Sequence, residues 1–175
     1  MEELKAYSDL LEPDERWAIF VLRNPVTSEL SHYIFKKHYE TISAIKLIAS
    51  VPEDVKSQFN TALMLGIYAW LYYPFHQTAE LKAFSTLEMA LRHKFPKNRN
   101  GLFKLLKLAV DSDLITDVGF SHIEFFSEDP KKYSSLFPKL ISDMRNDLAH
   151  GSTSLHPGSG FTLNNCAEII NQIFS

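Results

Sequence analysis

Residues 76–95 read HQTAELKAFSTLEMALRHKF, and the reading of this stretch decides the fold. Ala, Leu, Glu and Lys dominate it, and these side chains lose little freedom in a helix. Pro74 stands just ahead of it, and PKNRNG (96–101) breaks it behind with proline and glycine. A long helix is therefore expected from His76 to Phe95. Working outward, helical spacing of apolar residues recurs almost everywhere. A short helix is expected over Glu15–Leu22, ahead of Pro25. A longer one over Glu29–Ala49 would align Leu30, Tyr33, Ile34, Ile42, Ile45 and Ile48. Pro52, Glu53 and Asp54 read as the start of a third, which should run to about Tyr73 before Pro74 ends it.

Downstream, helices are expected over Leu102–Asp111, Lys132–His150 and Thr162–Phe174. The second of these carries Leu136, Phe137, Leu140, Ile141, Met144 and Leu148 in one apolar stripe. GSTSLHPGSG (151–160) reads as a polar loop. No segment shows sustained alternation, and no repeat is visible. The expectation is an all-α helical bundle. One domain over 1–175 is expected, with residues 1–50 as an N-terminal helical extension on a core over 51–175.

At 175 residues the chain can bury a substantial core, and 45% hydrophobic with 22% charged residues is ordinary globular composition. A net charge of −3 exerts no global pull on nucleic acid, so any RNA contact needs a local patch. The single cysteine, Cys166, allows neither an intramolecular disulfide nor a thiolate metal site, and a cytoplasmic location is expected. The acidic opening MEELKAYSDLLEPDER is not expected to act as a secretory signal. ALMLGIYAWLYYPF (62–75) is shorter than the roughly 20 residues a membrane span needs and reads as a buried helix. No membrane association is expected.

Several chemistries find no footing. There is no Walker-type phosphate loop, HExxH helix or EF-hand loop, and Gly158 with Gly160 is only a fragment of a glycine-rich motif. None of the seven histidines pairs at metal-ligand spacing; His32 and His38 lie six residues apart, off one helix face. Ser152 and Ser154 lack a nucleophile elbow. No metal and no cofactor are expected. One charge pattern stands out: between Glu88 and Asp111 there is no acid, whereas Arg92, Lys94, Lys97, Arg99, Lys104 and Lys107 all fall there. Such a run is either a solvated surface or a contact for an RNA backbone.

The penultimate helix ends in DMRNDLAHG (143–151). Gly151 suits the position after a helix, His150 suits the last turn, and Asp147 stands three residues before His150, where it could pair with it. Arg145 is harder to explain, because the residues three and four away are Ile141, Ser142, Leu148 and Ala149, none of them acidic. Five residues at about 100° each place Arg145 and His150 about 140° apart on a straight helix. The two side chains would not touch within one straight helix, but both could reach a groove if a second copy of the helix packed alongside.

RNDLAH (145–150) resembles the R-x4–6-H motif of the HEPN superfamily, and AELKAFSTLEMALRHKF (79–95) is similar to the upstream A-E-x-x-A…L-E-x-A-L-R helix of bacterial HEPN-like proteins. The resemblance covers residues 56–151; the first 50 match no known pattern. It implies a HEPN-type bundle that dimerises so that two motifs face each other, and a metal-independent endoribonuclease leaving 2′,3′-cyclic phosphate ends. Arg145, Asn146 and His150 would be catalytic, with Glu80, Glu88 and Asp147 in support. A bacterial defence or toxin–antitoxin setting, with an antitoxin or nucleotidyltransferase partner, is implied as well. The chemistry suits the residue types: histidine can take or give a proton near neutrality, and arginine offers a charged planar fork to phosphate oxygens. The alternative is a non-catalytic HEPN module binding nucleotide, phosphate or a partner protein. A plain helical adaptor, in which Arg145 and His150 only finish a helix, is the third reading.

Overall fold

The computed structural model describes residues 3–123, 128–155 and 158–175. Six α-helices carry the described fold: α1 (Phe35–Ser43), α2 (Glu53–Tyr68), α3 (Phe75–Lys94), α4 (Leu102–Asp111), α5 (Phe137–Ala149) and α6 (Gly160–Phe174). Helix α3 is the hub. It packs against α2, α4, α5 and α6, and its Ala79, Ala83, Leu87, Ala90 and Leu91 are fully enclosed. Alanine at these positions lets neighbouring helices come close without loss of helix propensity. Helix α6 completes the core with Leu163, Ile169, Ile170 and Ile173. At Gly66 of α2 a Cβ would stand 3.1 Å from the Leu163 methyl, so glycine sets the distance between α2 and α6 there.

The N-terminal extension departs from the helical expectation. Glu15–Ile19 is a short 3-10 helix, and Val21–Arg23 (β1) pairs antiparallel with Leu30–His32 (β2). The Glu29–Ala49 helix is reduced to α1, and the chain is mostly helical rather than purely so. Asn24 is one reason: its side-chain oxygen accepts the Val26 and Thr27 amides, and its backbone amide donates to Glu29. That turn competes directly with a helix start. Asn171 of α6 is the other. It accepts the Ile48 amide at 2.9 Å and donates to the Lys46 carbonyl at 3.0 Å, meeting backbone needs that a longer α1 would have met. Similarly, α2 stops at Tyr68, short of the expected end at Tyr73, in a turn that leads to Pro74.

The extension is fastened to the junction of α2 and α3. Asp14, nearly buried, accepts the Arg16 amide on one oxygen and the Tyr73 amide on the other. Trp17 donates its indole N–H to the Ala69 carbonyl and packs in one cluster with the rings of Tyr33 and Trp70, which also meet each other. No described helix is long and apolar enough to cross a membrane.

A second buried acid positions α5. Asp117 accepts the Tyr133 amide at 3.1 Å and the Ser134 amide at 2.8 Å, just ahead of the helix. Asp117→Ala should strand both donors and lower stability by about 2 kcal/mol, readable as a shifted urea midpoint. An unchanged midpoint would mean that water replaces the carboxylate.

Candidate functional site

Helix α5 ends as its sequence requires. The Gly151 amide donates to Leu148, the Ser152 amide donates to Asp147, and Gly151 adopts φ +84°. This pair of bonds around a left-handed glycine is the Schellman stop. The glycine of DMRNDLAHG is thus a helix terminator, and His150 is the cap residue with an exposed ring. Asp147 serves the stop through its carbonyl, and no ion pair joins its carboxylate to His150 among the described residues.

Arg145 has a partner that its own helix could not supply. Its guanidinium lies 3.8 Å from Glu88 of α3 and donates to the Asn146 side chain at 3.1 Å. The second Glu88 oxygen binds Arg92 at 2.5 Å. Arg145 is about two-fifths exposed, so a contact of this length holds it only loosely. Arginine 145 is therefore oriented and still available.

These residues border an open groove of about 500 Å³ between α4 and α5. Arg99, Asn100, Lys104, Ser142, Arg145 and Asn146 line it, and among its described residues Glu88 is the one acid. The N-terminus of α4 also lines it. Gly101 caps that helix with no side-chain partner, and the Leu105 amide is the first to return to Gly101. The amides of residues 102–104 are therefore free of intrahelical partners, at the positive end of the helix dipole. The Ser142 hydroxyl, on a residue only 9% exposed, has no hydrogen-bond partner among the described residues. Three cations and a helix N-terminus around one groove are an arrangement that can receive an anion, while the Ser142 hydroxyl is buried beneath it.

The basic run divides. Arg99 and Lys104 face this groove. Lys97 and Arg99 line a neighbouring shallow depression with Phe95 and Leu108. Arg92 and Lys107 are paired along their own helices with Glu88 and Asp111, and Lys94 is exposed at the end of α3. The groove does not include His150, so one copy of the chain does not bring Arg145 and His150 together. Nor does it include Glu80, which is buried under α6, where it accepts the Thr162 hydroxyl at 2.7 Å. Beside it, the buried Cys166 thiol is held well above its usual range by burial, with the Glu80 charge adding to the effect. Among the described residues no group of three or more His, Cys, Asp or Glu side chains forms a metal-ligand set.

Two groove residues lie outside the expected site. Ser142 stands three and four positions before Arg145 and Asn146, a spacing that puts all three on one helix face and could have found it. Asn100 is readable from sequence only as part of a helix-breaking segment; Asn98 accepts its amide at 2.9 Å and shapes that turn. Compared with protein-family models, with characterised proteins and with solved structures, the chain matches none.

Proposed function

We propose that this protein is a metal-independent endoribonuclease of the HEPN type, acting as a homodimer, in a bacterial defence or toxin–antitoxin setting. The observation that carries the reading is the anion groove: Arg145 and Asn146 of the R-x4-H helix share it with Arg99, Lys104 and the N-terminus of α4. A phosphodiester fits such a site, because its charge is shared among donors that need not reorganise. In this reading His150 takes the proton of an RNA 2′-hydroxyl. The 2′-oxygen then bonds to phosphorus, the bond to the 5′-oxygen breaks, and a proton reaches that leaving oxygen from the second histidine of the dimer or from water. Arg145 stabilises the added charge on the phosphoryl oxygens. Because His150 lies outside the groove of its own chain, the reading calls for a second copy of α5 alongside. Leu136 and Leu140, 63% and 52% exposed at the start of that helix, supply an apolar edge that such a copy would cover.

Incubation of the purified protein with a structured RNA in excess chelator tests the activity: cleavage to 2′,3′-cyclic ends is expected. No cleavage, together with saturable binding of nucleotide or phosphate, would instead support a non-catalytic module. The Glu88–Arg145 pair favours that second reading to the extent that it engages the arginine.

Light scattering at micromolar concentration should report a dimer, and a strict monomer would remove the composite site. Arg99→Glu and Lys104→Glu should each weaken RNA binding and reduce its salt slope by about one unit for every phosphate left without its cation. Lys107→Glu, at a residue already paired with Asp111, should have the smaller effect. Equal losses at all three positions would return the run to a diffuse charged surface.

A further inference from the structure

Within the charged groove one side chain has the wrong sign for an anion. Glu88 of α3 is the one acid among the described lining residues, against Arg99, Lys104 and Arg145. Its two oxygens are engaged unequally. Oε1 lies 2.5 Å from Arg92, one turn further along the same helix, whereas Oε2 lies 3.8 Å from Nη2 of Arg145. The guanidinium is held independently at its other end, where Nη1 donates to the Asn146 side chain at 3.1 Å. Breaking the long contact would therefore leave neither group adrift, since the carboxylate keeps Arg92 and the arginine keeps Asn146. Solvent reaches both side chains, with Glu88 18% and Arg145 41% exposed. Carboxylate and phosphate oxygens use the same guanidinium donors, so the two anions compete for one cation.

On the reading of this groove as a phosphate site, we propose that Glu88 is its anionic placeholder: the carboxylate holds Arg145 while the groove is empty, and an incoming phosphate displaces it onto Arg92 alone. The described lining carries three positive charges against one negative, and removal of the carboxylate leaves the three unopposed. One charge a few ångströms from a bound phosphate changes its affinity by about tenfold, between the limits set by bulk water and by a protein surface. Glu88 thus keeps the affinity of the groove low and oriented towards ligands charged strongly enough to displace it. A carboxylate that only orients Arg145 would act with the opposite sign, because its loss would weaken binding.

Calorimetric titration of the full chain with inorganic phosphate, at neutral pH and low salt, reads that sign directly and does not depend on cleavage. Glu88→Gln keeps the shape and removes the charge, and should bind phosphate about tenfold tighter than the unmodified protein. Glu88→Ala should show a gain in the same direction, so the result does not hang on the packing of one side chain. Glu88→Asp keeps the charge and should stay close to the unmodified protein. The gain should shrink as salt is raised, and should be lost when Arg145→Gln is added to Glu88→Gln. Weaker or unchanged binding by Glu88→Gln would overturn the placeholder; RNA cleavage by the unmodified protein would then still stand for the ribonuclease reading. A gain that survives Arg145→Gln would place the anion elsewhere and overturn the proposal. Saturable phosphate binding by none of the proteins would overturn it together with the phosphate reading of the groove.

Discussion

His150→Ala is expected to lower RNA cleavage by about 10²–10⁴-fold, the usual loss when a positioned proton-transfer group is removed. Arg145→Ala should cost about 10²–10³-fold, as expected for one strong donor to a developing anion. Neither substitution should unfold the protein. His150 is an exposed helix cap, and Arg145 is about two-fifths exposed with one long ion pair, so each should change stability by no more than about 1 kcal/mol. Gly151 is left in place in both variants, and the bonds that stop α5 are backbone bonds, so the helix end survives. Arg145→Lys separates charge from geometry. Lysine keeps the charge and loses the planar fork, and should recover only a small part of the activity. The proposed catalytic pair is composite, so a mixture of the two variants supplies a sharper test. Heterodimers that join an intact Arg145 to an intact His150 should regain a fraction of the cleavage. Full activity in the His150→Ala protein would remove the proposed base, and with it the dimeric site.

What the sequence discloses is mostly local. Helix α4 begins and ends where its glycine and amphipathic spacing place it, and Gly151 announces the end of α5. The hairpin is hidden because its determinants are not periodic. Leu30, Tyr33 and Ile34 fit helical spacing as well, and only the Asn24 turn, with Asn171 far downstream, decides against it. The candidate site divides in the same way. Arg145, Arg99 and Lys104 are each visible as unneutralised cations, but their meeting at the N-terminus of α4 depends on how α4 packs against α5. Glu88 shares α3 with Glu80 and is indistinguishable from it in kind. Packing sends one to Arg145 and the other under α6. His76 carries no signal at all in the sequence, since its partner Ser159 is 83 residues away.

Acid should weaken the fold through that same histidine. Burial is the main cause that lowers the His76 pKa from 6.5 to about 4, with the neighbouring His38 pushing the same way and Asp14 opposing. The groups facing it are few: His38 on α1, Asp14 on the extension, Tyr73 on the turn, and Ser159 at the start of α6. Unfolding restores the ordinary value, so between pH 6.5 and pH 4 the unfolded chain binds the extra proton. Stability therefore rises with pH across that window, is fully present above it, and falls as the solution is acidified. The shift corresponds to about 3 kcal/mol between neutral pH and pH 4. His38, also held below its ordinary value by burial, adds in the same direction. Urea unfolding at a series of pH values should show the decline, compared with His76→Asn, whose side-chain oxygen can still accept the Ser159 amide but cannot titrate. The variant is expected to be less stable at neutral pH, having lost ring packing against Trp17 and Tyr73, yet flatter towards acid. Equal slopes in the two proteins would place the acid sensitivity on other groups and leave His76 as a packing residue.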